Sequence, residues 1–135
     1  MFMSEAFWAQ WSPRMLAVLR IMVALLFLQS GLSKYFGWPA PAPANFTFFS
    51  LSPGLAGLIE IVGSLLLLVG LYAREAAFIM SGEMAVAYFM VRAPRSFFPL
   101  VNNGRLDVLH CFVFLYLVFS GPGSWSIDEM RKKAA

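Results

Sequence analysis

Four apolar stretches fill most of this chain, and two of them hold a glutamate near the middle. They run from Met15 to Phe36, Gly54 to Tyr72, Ala76 to Val91 and Leu106 to Phe119. The first two approach the roughly 20 apolar residues that carry a helix across a bilayer. The glutamates are Glu60 and Glu83. A carboxylate in hydrocarbon costs at least about 2.5 kcal/mol, so it is expected to face the interior of a bundle, where it has a partner or a function.

Charge is scarce elsewhere too. Of 135 residues, 60% are hydrophobic and 13% charged, against about 25% charged in soluble domains. The chain therefore reads as a membrane protein with the lipid bilayer as its first partner. Four spans and their connections use nearly the whole length, which leaves no room for a soluble catalytic domain. The net charge is +3, but its one cluster is Arg131-Lys132-Lys133. That tail is too short for a nucleic-acid face; it fits a topology signal or contact with anionic lipid heads.

Cys111 is the only cysteine, so neither an intramolecular disulfide nor a C-x-x-C dithiol can form. It reads as a small core residue. His110 is the only histidine, and without a Cys/His cluster no metal site is expected. The first apolar stretch resembles a retained span more than a cleaved leader. Residues 1–13 contain no Lys or Arg, Glu5 is acidic, and the run exceeds the roughly 7–15 residues of a signal-peptide core.

Along the chain, Phe2, Phe7, Trp8 and Trp11 suggest a short interfacial helix over residues 1–13. Ser12-Pro13 and Ser52-Pro53 have the form of helix starts. The uncharged segment from Pro39 to Ser52 favours extended polyproline structure, with Phe46, Phe48 and Phe49 at headgroup level. Gly70 to Glu75 is a tight turn that makes spans two and three antiparallel neighbours. Span three ends at Arg92-Ala93-Pro94. A second aromatic loop holds Phe97, Phe98 and Pro99, then Asn102-Asn103-Gly104 turns the chain. Span four is expected to start near Val101 or Asn103 and to stop at Gly121-Pro122-Gly123. The two aromatic loops can serve as belt anchors or cap a cavity.

The fold class expected is all-α, a four-helix transmembrane bundle over 14–121, with a C-terminal tail at 122–135. An even number of spans puts both termini on one side. Arg14, Arg74 and the basic tail make that side cytoplasmic, against Arg92, Arg95 and Arg105.

Helical spacing picks out one face on each span. The stripes are Arg20, Ala24, Phe27, Gly31 and Lys34; then Gly57, Glu60, Gly63 and Ser64; then Ala76, Met80, Glu83, Ala87 and Met90; then Asp107, His110, Phe114, Leu117 and Gly121. Polar residues share these faces with small ones, which let helices approach in membranes. At 1.5 Å per residue, Glu83, His110 and Glu60 lie about 14, 15 and 18 Å from the cytoplasmic ends. They are the candidate intramembrane site. Arg20, at about 9 Å, can reach Glu83 or snorkel outward. Lys34 and Asp107 are secondary polar candidates near the outer end.

Two adjacent buried carboxylates do not both ionise readily, so one can exchange protons near neutral pH, and His110 can extend the relay. The competing reading is structural: Arg20 neutralises one glutamate and the other is protonated and hydrogen-bonded. Nucleophile-elbow, phosphate-loop and dinucleotide patterns are missing.

Several pieces resemble the DoxX family of small bacterial membrane proteins. They are Arg20-Ile21, Ser30-Gly31-Leu32-Ser33-Lys34, Glu60-Ile61-Val62-Gly63, Gly70-Leu71-Tyr72-Ala73-Arg74, Asn103-Gly104 and Gly121-Pro122-Gly123-Ser124-Trp125-Ser126-Ile127-Asp128. The resemblance covers about residues 15–128. It implies a multi-pass protein of the bacterial plasma membrane, with Arg20, Lys34 and Glu60 as family polar positions. The family is named for a subunit of a thiosulfate:quinone oxidoreductase. The resemblance therefore implies an accessory subunit of a quinone- or sulfur-linked redox system, with no cofactor of its own, quinone as candidate ligand and a protein partner at or in the membrane. A non-catalytic scaffold and a small-solute carrier are the alternatives. Where the family often has a glutamate after the Asn-Gly turn, this chain has Arg105, with Asp107 two residues on.

Overall fold

Ser4, in extended conformation, opens the first helix by accepting a hydrogen bond from the Phe7 amide at 3.2 Å. Glu5 follows in the first turn, where its charge suits the helix dipole. A computed structural model of the chain describes residues 4–39 and 56–134, apart from the side chains of Lys34, Ala56, Val91 and Ala134. The Phe46, Phe48 and Phe49 segment and the Ser52-Pro53 start signal lie outside the described residues.

Helix α1 runs unbroken from Glu5 to Phe36 and closes on Gly37. This corrects the expectation of a separate interfacial helix over 1–13 and of a start at Ser12-Pro13. Proline in a helix interior removes one backbone bond and costs about 3 kcal/mol. Two contacts hold the helix through Pro13: Ser12 Oγ donates back to the Trp8 carbonyl at 2.7 Å, and the Ser124 amide donates to the Pro13 carbonyl at 3.1 Å.

Helix α2 spans Ala56–Val69 and α3 spans Ala73–Ala87. Between them, Leu71 N–H bonds Leu66 O and Gly70 N–H bonds Leu67 O. That pair is a Schellman closure, and it folds α3 back along α2. A π-helical turn, Tyr88–Arg92, extends α3. Its wider step turns Tyr88 inward and leaves Met90 exposed, so Met90 leaves the inner face that helical spacing gave it.

One turn, α4 (Pro99–Asn102), precedes α5 (Arg105–Ser120). The fourth long helix therefore starts at Arg105, later than the spacing predicts, because Asn103 takes the left-handed conformation and breaks the run. Gly121 ends α5, and a last helix, α6, covers Ile127–Ala134.

The long helices pack in chain order, α1 on α2, α2 on α3 and α3 on α5. Phe27 of α1 closes the ring edge-on against Phe114 and His110 of α5, at 5.0 and 5.1 Å between centroids. Ala24, Phe27, Leu67, Met80, Phe114 and Leu117 form the apolar core. The exterior is apolar as well, with Phe78, Phe89, Phe112 and Phe119 exposed, the last at 76%. Arg20, Glu60 and Ser64 are buried. Charges inside and large apolar side chains outside suit hydrocarbon, since soluble monomers rarely expose apolar patches beyond a few hundred Å². Among the described residues, one helix is long and apolar enough to cross a membrane, over Glu5–Ser33; Gly57–Val69 is apolar but shorter.

Candidate functional site

Close contacts between helices set their register. Gly31 of α1 faces the Gly57 carbonyl and Ile61 of α2; Gly63 of α2 faces Met80 of α3. Ser81 Oγ of α3 donates to the Cys111 carbonyl of α5 at 2.8 Å. Continued by one turn, this register brings Ser30, Glu60, Glu83 and His110 to one level. Glu60 is 1% exposed, while Glu83, His110 and Ser30 are half-buried. The sequence-derived trio of Glu60, Glu83 and His110 thus shares a layer. It does not converge as a metal-ligand set, and no group of three His, Cys, Asp or Glu among the described residues does.

His110 lies edge-on to Phe27 and nearly parallel to Phe114, with centroids 6.1 Å apart in the second pair. Two aromatic neighbours fix the plane of its ring. Ser64, one turn along α2 from Glu60, is fully buried, and its hydroxyl makes no hydrogen bond among the described residues. Cys111 is half-buried, with Sγ 3.5 Å from Ser81 Oγ.

Arg20 goes elsewhere. The expectation that it reaches Glu83 or neutralises a glutamate is corrected: its guanidinium donates to the carbonyls of Pro122 (2.5 Å), Ser124 (3.1 Å) and Trp125 (3.0 Å). Arg20 is fully buried, and ten residues of helix, about 15 Å, separate its level from the acidic layer. Positive φ at Gly121, Gly123 and Trp125 turns successive carbonyls toward one point. Gly123 is required there twice over: it has φ +77, and a Cβ would strike the Pro13 carbonyl.

Residues 122–128 are therefore built into the bundle instead of trailing as a tail. The Asp128 amide donates to Gly70 O at 2.9 Å. The Asp128 carboxylate accepts from the Tyr72 and Ala73 amides at 2.9 and 2.8 Å, capping the first turn of α3. Tyr72 sits at φ 50 in the left-handed region, and this bond helps to hold it there. Arg74 donates to the carbonyls of Val118 and Phe119 at 2.7 and 2.8 Å, answering the open end of α5. Ser126 Oγ accepts from Glu129 N at 3.1 Å and starts α6.

At the opposite end, Asp107 pairs with Arg92 Nε at 3.1 Å. The Lys34 side chain lies outside the described residues. Asn102 is buried; its amide donates to Ser96 O at 2.6 Å and Tyr88 Oη at 3.3 Å, and its carbonyl accepts from Gly104 N at 2.8 Å. The Tyr88 hydroxyl donates to the Phe97 carbonyl. This network sets the loop that carries Phe97 and Phe98, both exposed. The sequence places Asn102 in a turn and Asp128 in a family-like segment, but does not reveal the cap made by Asp128 or the Tyr88–Asn102 bond. The available signals were the Ser126-x-Asp128 spacing and the Asn-Asn-Gly turn.

The chain is similar to proteins whose own roles are unassigned. It is 43% identical over 124 residues to an uncharacterized protein of Haemophilus influenzae, covering 89% of this chain and 92% of that one. To an uncharacterized membrane protein of Mycobacterium tuberculosis it is 28% identical over 141 residues, covering 91% and 85%. A further uncharacterized Haemophilus influenzae protein is 29% identical over 126 residues, covering 87% and 83%. No solved structure matches. The DoxX family profile matches residues 15–93, which takes in Arg20, Glu60, Glu83 and the packing glycines Gly31 and Gly63. A lipid-suited exterior, buried charge and this match lead to one conclusion: the chain is a membrane protein and belongs to the DoxX family.

Proposed function

We propose that this protein crosses the bacterial plasma membrane four times, through α1, α2, α3 with its π turn, and α5, and serves as an accessory subunit of a quinone- or sulfur-linked redox system. The burial of Glu60, at 1% exposure inside an apolar bundle, carries this reading. Buried intramembrane carboxylates are expensive and mark proton or substrate sites. Glu83 and His110 at the same level supply the further groups that a proton exchange coupled to quinone chemistry needs.

In this reading the chain moves protons or seats the ligand, and a protein partner holds the redox centre. One cysteine and one histidine are too few for a Cys/His-ligated iron–sulfur cluster here. Both termini are cytoplasmic. Arg14, Arg74 and the basic residues of α6 lie at one end of the bundle, where Arg14 rests over Trp11 at 4.6 Å and Arg131 over Tyr72 at 5.3 Å.

The test is binding of a quinone analogue to the purified protein and to Glu60→Gln. Weaker binding by the variant supports the proposal. Equal affinity removes Glu60 from the ligand site, and retained association with a co-purifying partner in that variant then favours a non-catalytic scaffold.

A further inference from the structure

Helix α6 carries cations and apolar side chains that the bundle does not cover. Arg131, Lys132 and Lys133 are exposed, and none takes an ion pair with a described residue. The acids of α6 do not cancel them. Asp128 is spent on the Tyr72 and Ala73 amides, which leaves Glu129 as one charge against three. Asp128 faces the bundle, so Met130, two residues on, projects from the opposite side of the helix and is 69% exposed. Ile127, three residues before Met130, shares that side and is exposed as well; Trp125, just ahead of the helix, is 62% exposed. The level of α6 is fixed by hydrogen bonds. The Asp128 amide bonds the Gly70 carbonyl and the Asp128 carboxylate caps α3, so α6 starts level with the turn where α2 ends and α3 begins. Aromatic rings paired with cations mark the same end: Arg14 lies over Trp11 and Arg131 over Tyr72.

We propose that α6 is a binding surface for anionic phospholipid, with Arg131, Lys132 and Lys133 on the head-group phosphates and Trp125, Ile127 and Met130 among the upper acyl carbons. Charge selects an anionic occupant, and depth selects lipid. A helix held level with the ends of the spans meets head groups first, and its uncovered apolar side chains meet acyl carbons, as in basic amphipathic helices that lie in the interface plane. The inference rests on α2 and α3 crossing the membrane, as proposed above, and needs neither the quinone nor the redox partner of that reading.

Lipid selectivity tests this directly. The full-length protein is placed in phosphatidylcholine nanodiscs holding a trace of spin-labelled phosphatidylglycerol or spin-labelled phosphatidylcholine, and the motionally restricted fraction of each label is read. The expected result is a preference for phosphatidylglycerol of about fivefold, the worth of one basic residue at an anionic surface, falling as salt is raised. Lys132→Gln with Lys133→Gln leaves the Arg131–Tyr72 contact in place and should lose most of that preference. Arg95→Gln with Arg105→Gln, at the opposite end of the bundle, should keep it. A parent protein with no preference, or a Lys132/Lys133 variant that keeps it, overturns the proposal. Depth is read with bimane on Met130→Cys in a Cys111→Ser background. Quenching by phosphatidylcholine brominated in the upper acyl chain supports the proposal. Quenching by aqueous iodide alone overturns it and leaves α6 to an acidic protein surface. No quinone or partner is present in these discs, so loss of the redox reading does not enter, and terminal tags read the four-span topology separately.

Discussion

A buried guanidinium that spends three N–H donors on main-chain carbonyls acts as a joint in the chain more than as a charge. Arg20 is such a residue. Lysine offers one compact ammonium where arginine offers a planar fork, so Arg20→Lys should keep the positive charge and lose part of the clasp. Arg20→Met should do worse, since each buried carbonyl left unpaired costs about 1–3 kcal/mol. The expected outcome is a lower unfolding temperature in detergent and faster proteolysis within 122–134, with Met more severe than Lys. Ser64 predicts the reverse. Its hydroxyl is buried without a hydrogen bond among the described residues, so Ser64→Ala should leave thermal stability unchanged or raised, because an unsatisfied polar group is removed. A clear loss of stability in that variant would show that the hydroxyl is satisfied in the membrane. Burial of both residues is legible in the helical stripe; the partners of Arg20 are not, because they lie about a hundred residues away.

At the scale of elements, the α2–α3 contact depends on Gly63, whose missing Cβ leaves space for Met80. Gly63→Val should destabilise by about 1–3 kcal/mol through overpacking. Met80→Ala in the same chain should restore part of the loss, as a double-mutant cycle would measure. The same helix pair is capped from outside: Asp128→Ala should remove the cap on α3 and cost about 0.5–2 kcal/mol, read as a lower melting temperature. Asp128→Asn should be milder, since its amide oxygen can still accept one of the two bonds. The turn at Gly70 and the stop at Gly121 are visible in sequence because glycine at a helix end has a local cause. The continuity of α1 through Pro13 and the π turn at Tyr88–Arg92 are not. Both depend on what packs against the helix: Ser124 on the first, the Asn102 network on the second.

Over the whole molecule, lipid-facing apolar side chains and inward-facing polar ones predict a protein extracted from membranes by detergent and not by high salt. The proposed four-span topology predicts that reporter tags at the two termini lie on one side; tags on opposite sides would contradict it. What could be read from composition and periodicity was the helical class, the apolar exterior and the burial of Arg20, Glu60 and Ser64 on inner helix faces. These follow from one rule acting locally: a helix in hydrocarbon must satisfy its own backbone and turn its costly side chains inward. What the tertiary structure alone decided was the pairing of those side chains. Arg20 and Asp128 take backbone partners contributed by distant segments, and the C-terminal chain becomes a closure across one end of the bundle. Such pairing depends on which carbonyls and amides are left open where helices end and other segments cross, and those positions exist only after the helices have packed.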